Sequence, residues 1–237
     1  MKRFYVVSAV VLMVLGCQSP KRVIMPLPPP ATPTRPITPT RVTPRPTPPA
    51  PPKRTVTDAT IVIDPGHGGK DPGTTPKLSP LPEKTIVLDI ANKVSQRLRE
   101  RGVKVHQTRT SDRFIELEDR AAMAERIHAD LFVSIHANYS KRRSVSGATI
   151  HIYENASIQS RKAALRMVTA FNQADIECGG ILRNNFHVLR EHSRPALLIE
   201  CGFLSNPGDA HKLNRTAYRS QIAAVIADGI IAYCRRR

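Results

Sequence analysis

The stretch Thr60-Ile-Val-Ile-Asp-Pro-Gly-His-Gly-Gly-Lys-Asp-Pro-Gly73 decides how the rest of the chain is read. Ile61, Val62 and Ile63 make a short apolar run of the kind buried in a sheet, and Asp64-Pro65-Gly66 ends it abruptly. The glycines at 66, 68, 69 and 73 permit tight turns and the close approach of another group, so His67 is presented at a strand end. A lone histidine in such a turn is usually structural or solvated. Its meaning depends on what else reaches the same place.

Downstream, Glu83 to Arg101 reads as a helix, with Val87, Ile90, Ala91, Val94 and Leu98 on one apolar face. Pro82 suits its first turn and Gly102 its end. Val103 to Gln107 alternates like a strand, and Leu117 to His128 is a second helix packing through Leu117, Ala121, Ala124 and Ile127. Leu131 to Ile135 is a compact buried strand that ends at His136-Ala-Asn138. Strand and helix thus alternate from Thr60, the pattern of a mainly parallel sheet covered by helices. A polar loop at 139–146 leads to a strand at Gly147–Tyr153 and a helix around Ile158–Phe171. The stretch around Gly179-Gly180 looks less regular, and Phe186–Leu189 reads as a short strand. Pro195–Cys201 is the last buried strand, closed by Gly202, and Ala217–Tyr233 the last helix. The expected fold is a single α/β domain, its mainly parallel twisted sheet covered by helices on both faces in a phosphorylase/hydrolase-like arrangement.

That order places chemistry. His67 follows the first strand, His136 ends the third and Glu200 ends the last. The carboxyl ends of parallel strands share one edge, where ligand crevices sit. Glu83, at the start of the helix leaving that edge, can join them. Two neutral imidazoles and a carboxylate form a tripod for zinc with an open fourth position, and a further carboxylate could accept a proton from water there.

The chain has 237 residues, of which the stretch Pro20–Pro52 offers almost nothing to bury. Lys2 and Arg3 precede the apolar run Phe4–Leu15, which is too short to span a bilayer and is followed by Gly16-Cys17. This resembles a bacterial lipoprotein signal: residues 1–16 would be removed and Cys17 lipidated. Gln18 in place of an inner-membrane retention aspartate favours the outer membrane, and with it a periplasmic location. From Pro20 to Pro52 the chain holds 14 of its 21 prolines. Residues 17–57 therefore read as a Pro/Thr/Arg-rich tether, able to reach on the order of 100 Å if fully extended.

The net charge of +17 is unevenly shared. With two cations in the leader and seven in the tether, the domain at 58–237 keeps 27 basic against 19 acidic residues, or +8. There is no helix-turn-helix, no basic strand interleaved with aromatics and no tryptophan, which argues against nucleic acid. An anionic polymer or membrane surface fits a tethered, secreted chain better. With Cys17 assigned to lipid, Cys178, Cys201 and Cys234 allow at most one internal disulfide.

Several segments together resemble one family, the zinc-dependent N-acetylmuramoyl-L-alanine amidases of the AmiA/AmiC type, which are bacterial cell-wall hydrolases. They are Ile63–Gly69, Glu83-Lys84, Thr108-Arg109 with Asp112 and Leu117, Ala129–Asn138, Phe186–Arg190 and Ile199–Asn206. The resemblance covers roughly Thr60 to Leu213. It implies one zinc ion on His67, Glu83 and His136, Glu200 as catalytic carboxylate, and peptidoglycan as substrate for a monomer. The bond implied is the amide between N-acetylmuramic acid and L-alanine of the stem peptide, cut during wall remodelling or daughter-cell separation. Alternatives are a zinc peptidase acting within the stem and a non-catalytic wall-binding lipoprotein.

Other residues carry blander expectations. His106, His128, His187, His192 and His211 are read as structural or surface, and His151 as no ligand. Arg190 and Arg194 are read as solvated, Cys201 as packing, and Asn138 as either a cap or a support for the site. Only about 32 residues separate Tyr153 from Phe186, too few for the inserted plug helix of activator-controlled family members, so the crevice should be open. A periplasmic regulator is not legible.

Overall fold

The computed structural model describes residues 55–75 and 79–235; Cys17, the signal and all but the last residues of the tether lie outside them. Six strands form one sheet: β1 Thr60–Pro65, β2 Lys104–Gln107, β3 Leu131–Asn138, β4 Ala148–Tyr153, β5 Cys178–Asn184 and β6 Ala196–Phe203. Their spatial order is β2-β1-β3-β6-β4-β5. Every neighbouring pair is parallel except β4 and β6, which run antiparallel. The sheet is therefore mostly parallel but mixed.

The helices are α1 Glu83–Glu100, α2 Leu117–Arg126, α3 Ile158–Gln173, α4 His187–Arg190, α5 Pro207–Asn214 and α6 Thr216–Cys234. Alternation along the strands sorts side chains to two faces. Ile61, Ile63, Val133, Ile135, Leu197 and Ile199 join the large core with α1, α3 and α6. α6 is apolar nearly all round because it lies between α1 and α3. Val62, Phe132 and Leu198 point to the other face and pack with Ala124 of α2 and Val188 and Leu189 of α4. Among the described residues, no helix is long and apolar enough to cross a membrane.

Three local expectations are corrected. Phe186–Leu189 is not a strand: His187–Arg190 is one helical turn whose Val188 and Leu189 are buried. A four-residue apolar run does not by itself distinguish the two. The stretch around Gly179-Gly180 is the edge strand β5, with a register shift opposite Ala148/Ile150 that accommodates the glycines. Leu117 is 49% exposed and does not pack inward with Ala121 and Ala124. The helix α5 was not foreseen; Asn206 caps it, accepting from the backbone N–H groups of Gly208 and Asp209.

Candidate metal centre

β1 leads directly into the site. Its last residues are buried, and the chain then turns through His67 at φ 59°, a left-handed conformation uncommon outside glycine. Buried side chains hold that conformation. Arg109 donates to the carbonyls of Pro65 and Gly66, and Arg120 to those of Pro65 and His67. Beneath them Asp64 accepts from Thr108 Oγ1 at 2.6 Å, Ser134 Oγ at 2.7 Å and Arg120 Nη1 at 2.8 Å. Lys84 reaches the Gly69 carbonyl and the Asp112 carboxylate, while Asp112 accepts from the Gly69 N–H. Thr108, Arg109, Asp112 and Lys84 thus brace the histidine loop.

The side chains expected to meet do meet. Glu83 Oε1 lies 3.1 Å from His67 Nε2 and 3.1 Å from His136 Nδ1. The two imidazoles are edge to face, their centroids 4.9 Å apart. Glu83 is itself fixed: Oε2 accepts from Thr74 N–H at 2.8 Å and Oε1 from Ala137 N–H at 2.9 Å. The candidate ligand atoms of His67, Glu83 and His136 all fall within 4.8 Å of one another. A tetrahedral ion with arms of about 2.0–2.1 Å has ligand–ligand edges of about 3.3 Å, close to the spacing here. Two imidazoles and one carboxylate are also the donor set such an ion takes, so the residues fit zinc.

Close approach explains two glycines. A Cβ on Gly66 would stand 2.1 Å from His136 Cε1, and one on Gly73 would stand 2.7 Å from both Glu83 Oε2 and His67 Cδ2. Gly66 thus leaves room for the ring. Asp71 was not singled out from the sequence. Its Oδ2 lies 2.7 Å from His67 Nδ1, which fixes the ring and leaves Nε2 facing Glu83. The only sequence signal was a carboxylate four residues after the histidine, easily mistaken for a turn residue.

The electrostatics suit a cation. Burial pushes the Glu83 carboxyl up, but hydrogen bonds and charge from His136 and His67 outweigh it and hold it well below the usual carboxylate range. Burial lowers His67, but Glu83 and Asp71 together raise it above its ordinary value. Two carboxylates therefore enclose an imidazole whose proton a metal ion could replace.

Glu200 is the Cα partner of His136 across β3 and β6. Both line a cleft of about 430 Å³ on the α2/α4 face, walled by Phe114, Ile115 and Leu117 on one side and Phe186, His187 and Val188 on the other. Glu200 Oε2 is buried without a hydrogen-bond partner among the described residues. Burial lifts its carboxyl to about 7, with the charge of His136 opposing and that of Glu83 adding. A carboxylate poised there suits proton transfer.

A model of the N-acetylmuramoyl-L-alanine amidase family matches residues 61–232. The chain belongs to that family. A crystal structure of an N-acetylmuramoyl-L-alanine amidase from Clostridium difficile 630 superposes with a TM-score of 0.72 at 37% identity, covering 76% of this chain and 98% of the other. The amidase AmiA of Salmonella typhimurium is 31% identical over 73% of this chain and 75% of its own length. The amidase LytC of Bacillus subtilis is 33% identical over 76% of this chain but 36% of its own, so the chain spans about a third of that relative.

Within this amidase fold the remaining residues find their places. His187, read as surface or structural, lines the cleft. His151 is buried and bonded to Thr149 and Asn184. Arg194 donates to the carbonyls of Ala129 and His128, and Arg190 pairs with Glu191 and Asn185. Asn138 Oδ1 accepts from the Tyr139 N–H, a cap on the strand end. Cys178 and Cys201 are in no disulfide, and burial pushes Cys201 far up, away from nucleophilic use.

Proposed function

We propose that the protein is a zinc-dependent peptidoglycan hydrolase that cleaves the amide between N-acetylmuramic acid and L-alanine of the stem peptide. The observation that carries this is the meeting of Glu83 Oε1 with both His67 and His136, with Glu200 facing the same cleft from the neighbouring strand. His67, Glu83 and His136 would hold the ion, and the Asp71 carboxylate would orient His67. When bound, zinc supplies a Lewis acid for the scissile carbonyl and for water. Glu200 takes the proton of the attacking water and delivers it to the leaving amine of L-alanine. The buried carboxyl, lifted to about 7, is suited to carry a proton in both directions. Family membership supports the bond assigned.

The cleft is open to substrate without an activator. α3, the helix between Tyr153 and Phe186, buries Ala163, Ala164, Met167 and Phe171 in the core with α6, on the sheet face opposite the cleft. Lipidation at Cys17 and a tether over 17–57 would place the domain in the periplasm, anchored to the outer membrane, for wall remodelling or cell separation. The Gly16-Cys17 pattern and the proline-rich run support this. Digestion of purified peptidoglycan with and without a chelator tests the assignment. Stems with a free N-terminal L-alanine, lost on chelation, are expected. Fragments cut within the stem would indicate a peptidase, and no release a wall-binding protein.

A further inference from the structure

The loop from β3 to β4 carries Tyr139-Ser-Lys-Arg-Arg-Ser144, with three consecutive cations and no acid. Lys141, Arg142 and Arg143 are all exposed. Among the described residues none of them has an ion-pair partner. Some cations elsewhere in the domain do find one: Lys84 meets Asp112, Arg101 meets Asp228 and Arg190 meets Glu191. The loop is also held in shape. Ser140 N–H donates to Ser205 Oγ at 2.9 Å, Asn206 Nδ2 to the Arg143 carbonyl at 2.9 Å, and Val145 N–H to the Arg142 carbonyl at 3.2 Å. Both anchors, Ser205 and Asn206, lie within three residues of the end of β6. The cations therefore stand beyond the ends of β3 and β6, the two strands that bear His136 and Glu200.

We infer that Lys141, Arg142 and Arg143 form a subsite for the carboxylates of the stem peptide, outside the cleft. This rests on the amidase reading. Tyr139 lies three residues past His136, or about 10 Å along an extended strand. In an extended stem, the second and third residues lie about 7–11 Å from the scissile amide, at about 3.3–3.6 Å per residue. Those are the residues on which an acidic stem carries its carboxylates, whereas the sugar strand offers no comparable run of charge. Two adjacent guanidiniums match planar carboxylates in a bidentate manner, and an ammonium adds a third contact. The exposed ring of Tyr139, 57% accessible, borders the same surface.

The test uses the full zinc-loaded chain and a Lys141→Ser/Arg142→Ser/Arg143→Ser variant. Binding of a labelled stem tetrapeptide is measured with its side carboxyls free and with them amidated. Wild type should bind the free acid at least tenfold more tightly than the amide, with an advantage that shrinks as salt rises. The variant should bind both with one weak affinity, while zinc content and melting temperature stay unchanged. Equal binding of the two peptides by wild type, or unchanged selectivity in the variant, overturns the inference. So does a variant that loses only its binding to anionic lipid vesicles. Cleavage is followed in the same samples. Selective binding without release of N-terminal L-alanine would fault the amidase reading and leave the carboxylate subsite standing.

Discussion

Asp64 Oδ1 and Arg120 Nη1 meet at 2.8 Å, both side chains buried, directly beneath the loop that bears His67. The pair does more than neutralise itself. The same guanidinium donates to the carbonyls of Pro65 and His67, so the ion pair sets the backbone from which the first imidazole projects. Arg120→Met strands the Asp64 charge and should cost about 3–5 kcal/mol in chemical denaturation. Zinc affinity should fall with it. A variant within 1 kcal/mol of wild type that keeps its metal would show that the pair is not what holds the loop.

Gly66 is required by space. Its φ is not in the left-handed region, so alanine is allowed there by the backbone, but the new Cβ would stand 2.1 Å from the His136 ring. The ring must move by more than an ångström, a displacement that costs on the order of 100-fold in rate when it misplaces a reacting centre. Gly66→Ala is expected to fold, to lose zinc affinity and to lose activity to that extent. Circular dichroism and metal titration on one sample separate this from unfolding.

Asp71→Asn keeps the size of the side chain but removes the charge that holds His67 Nδ1–H. Losing such an outer carboxylate typically weakens metal binding about 10–100-fold. Competition against a chelator of known affinity reads the change directly. An unchanged zinc affinity would make Asp71 a turn residue only.

The pH dependence follows from Glu200. It acts as a base only when deprotonated, and burial lifts its carboxyl to about 7. A cation in the neighbouring tripod favours the charged form and draws that titration lower. Accordingly kcat/KM should fall about tenfold per unit on the acid side, with a midpoint at or below 7 and zinc content constant across it. A rate that climbs as pH falls from 8 to 5 would rule out this role. Metal-free stability has its own acid dependence. The depressed Glu83 carboxyl contributes stability above its ordinary value of 4.5, and that contribution fades as pH falls below it.

Strand ends explain how much of the site could be read from sequence. His67, His136 and Glu200 each follow an apolar run, and parallel pairing brings such ends to one edge whatever lies between them. Glu83 was legible because it opens a strongly periodic helix. Direction was not. Nothing in Ala148–Tyr153 shows that β4 runs against β6, because the reversal is made in the loop 139–147 and the strand's own alternation looks the same either way. The braces were hidden for a different reason. Arg120 lies one residue from the buried Ala121 and reads as a solvated charge until Asp64 and the carbonyls of Pro65 and His67 are found beneath it. His187 was hidden because the short apolar run that carries it turns as a helix and aims it into the cleft.

The central claim is that Glu200 supplies the proton transfer at a zinc site built from His67, Glu83 and His136. The most direct measurement compares wild type with Glu200→Gln on purified peptidoglycan, scoring new N-terminal L-alanine by mass while elemental analysis counts zinc in both proteins. Losing the general base should lower the release rate by at least about 100-fold with one zinc per domain retained in each. A zinc-replete Glu200→Gln protein that releases L-alanine termini at the wild-type rate would contradict it.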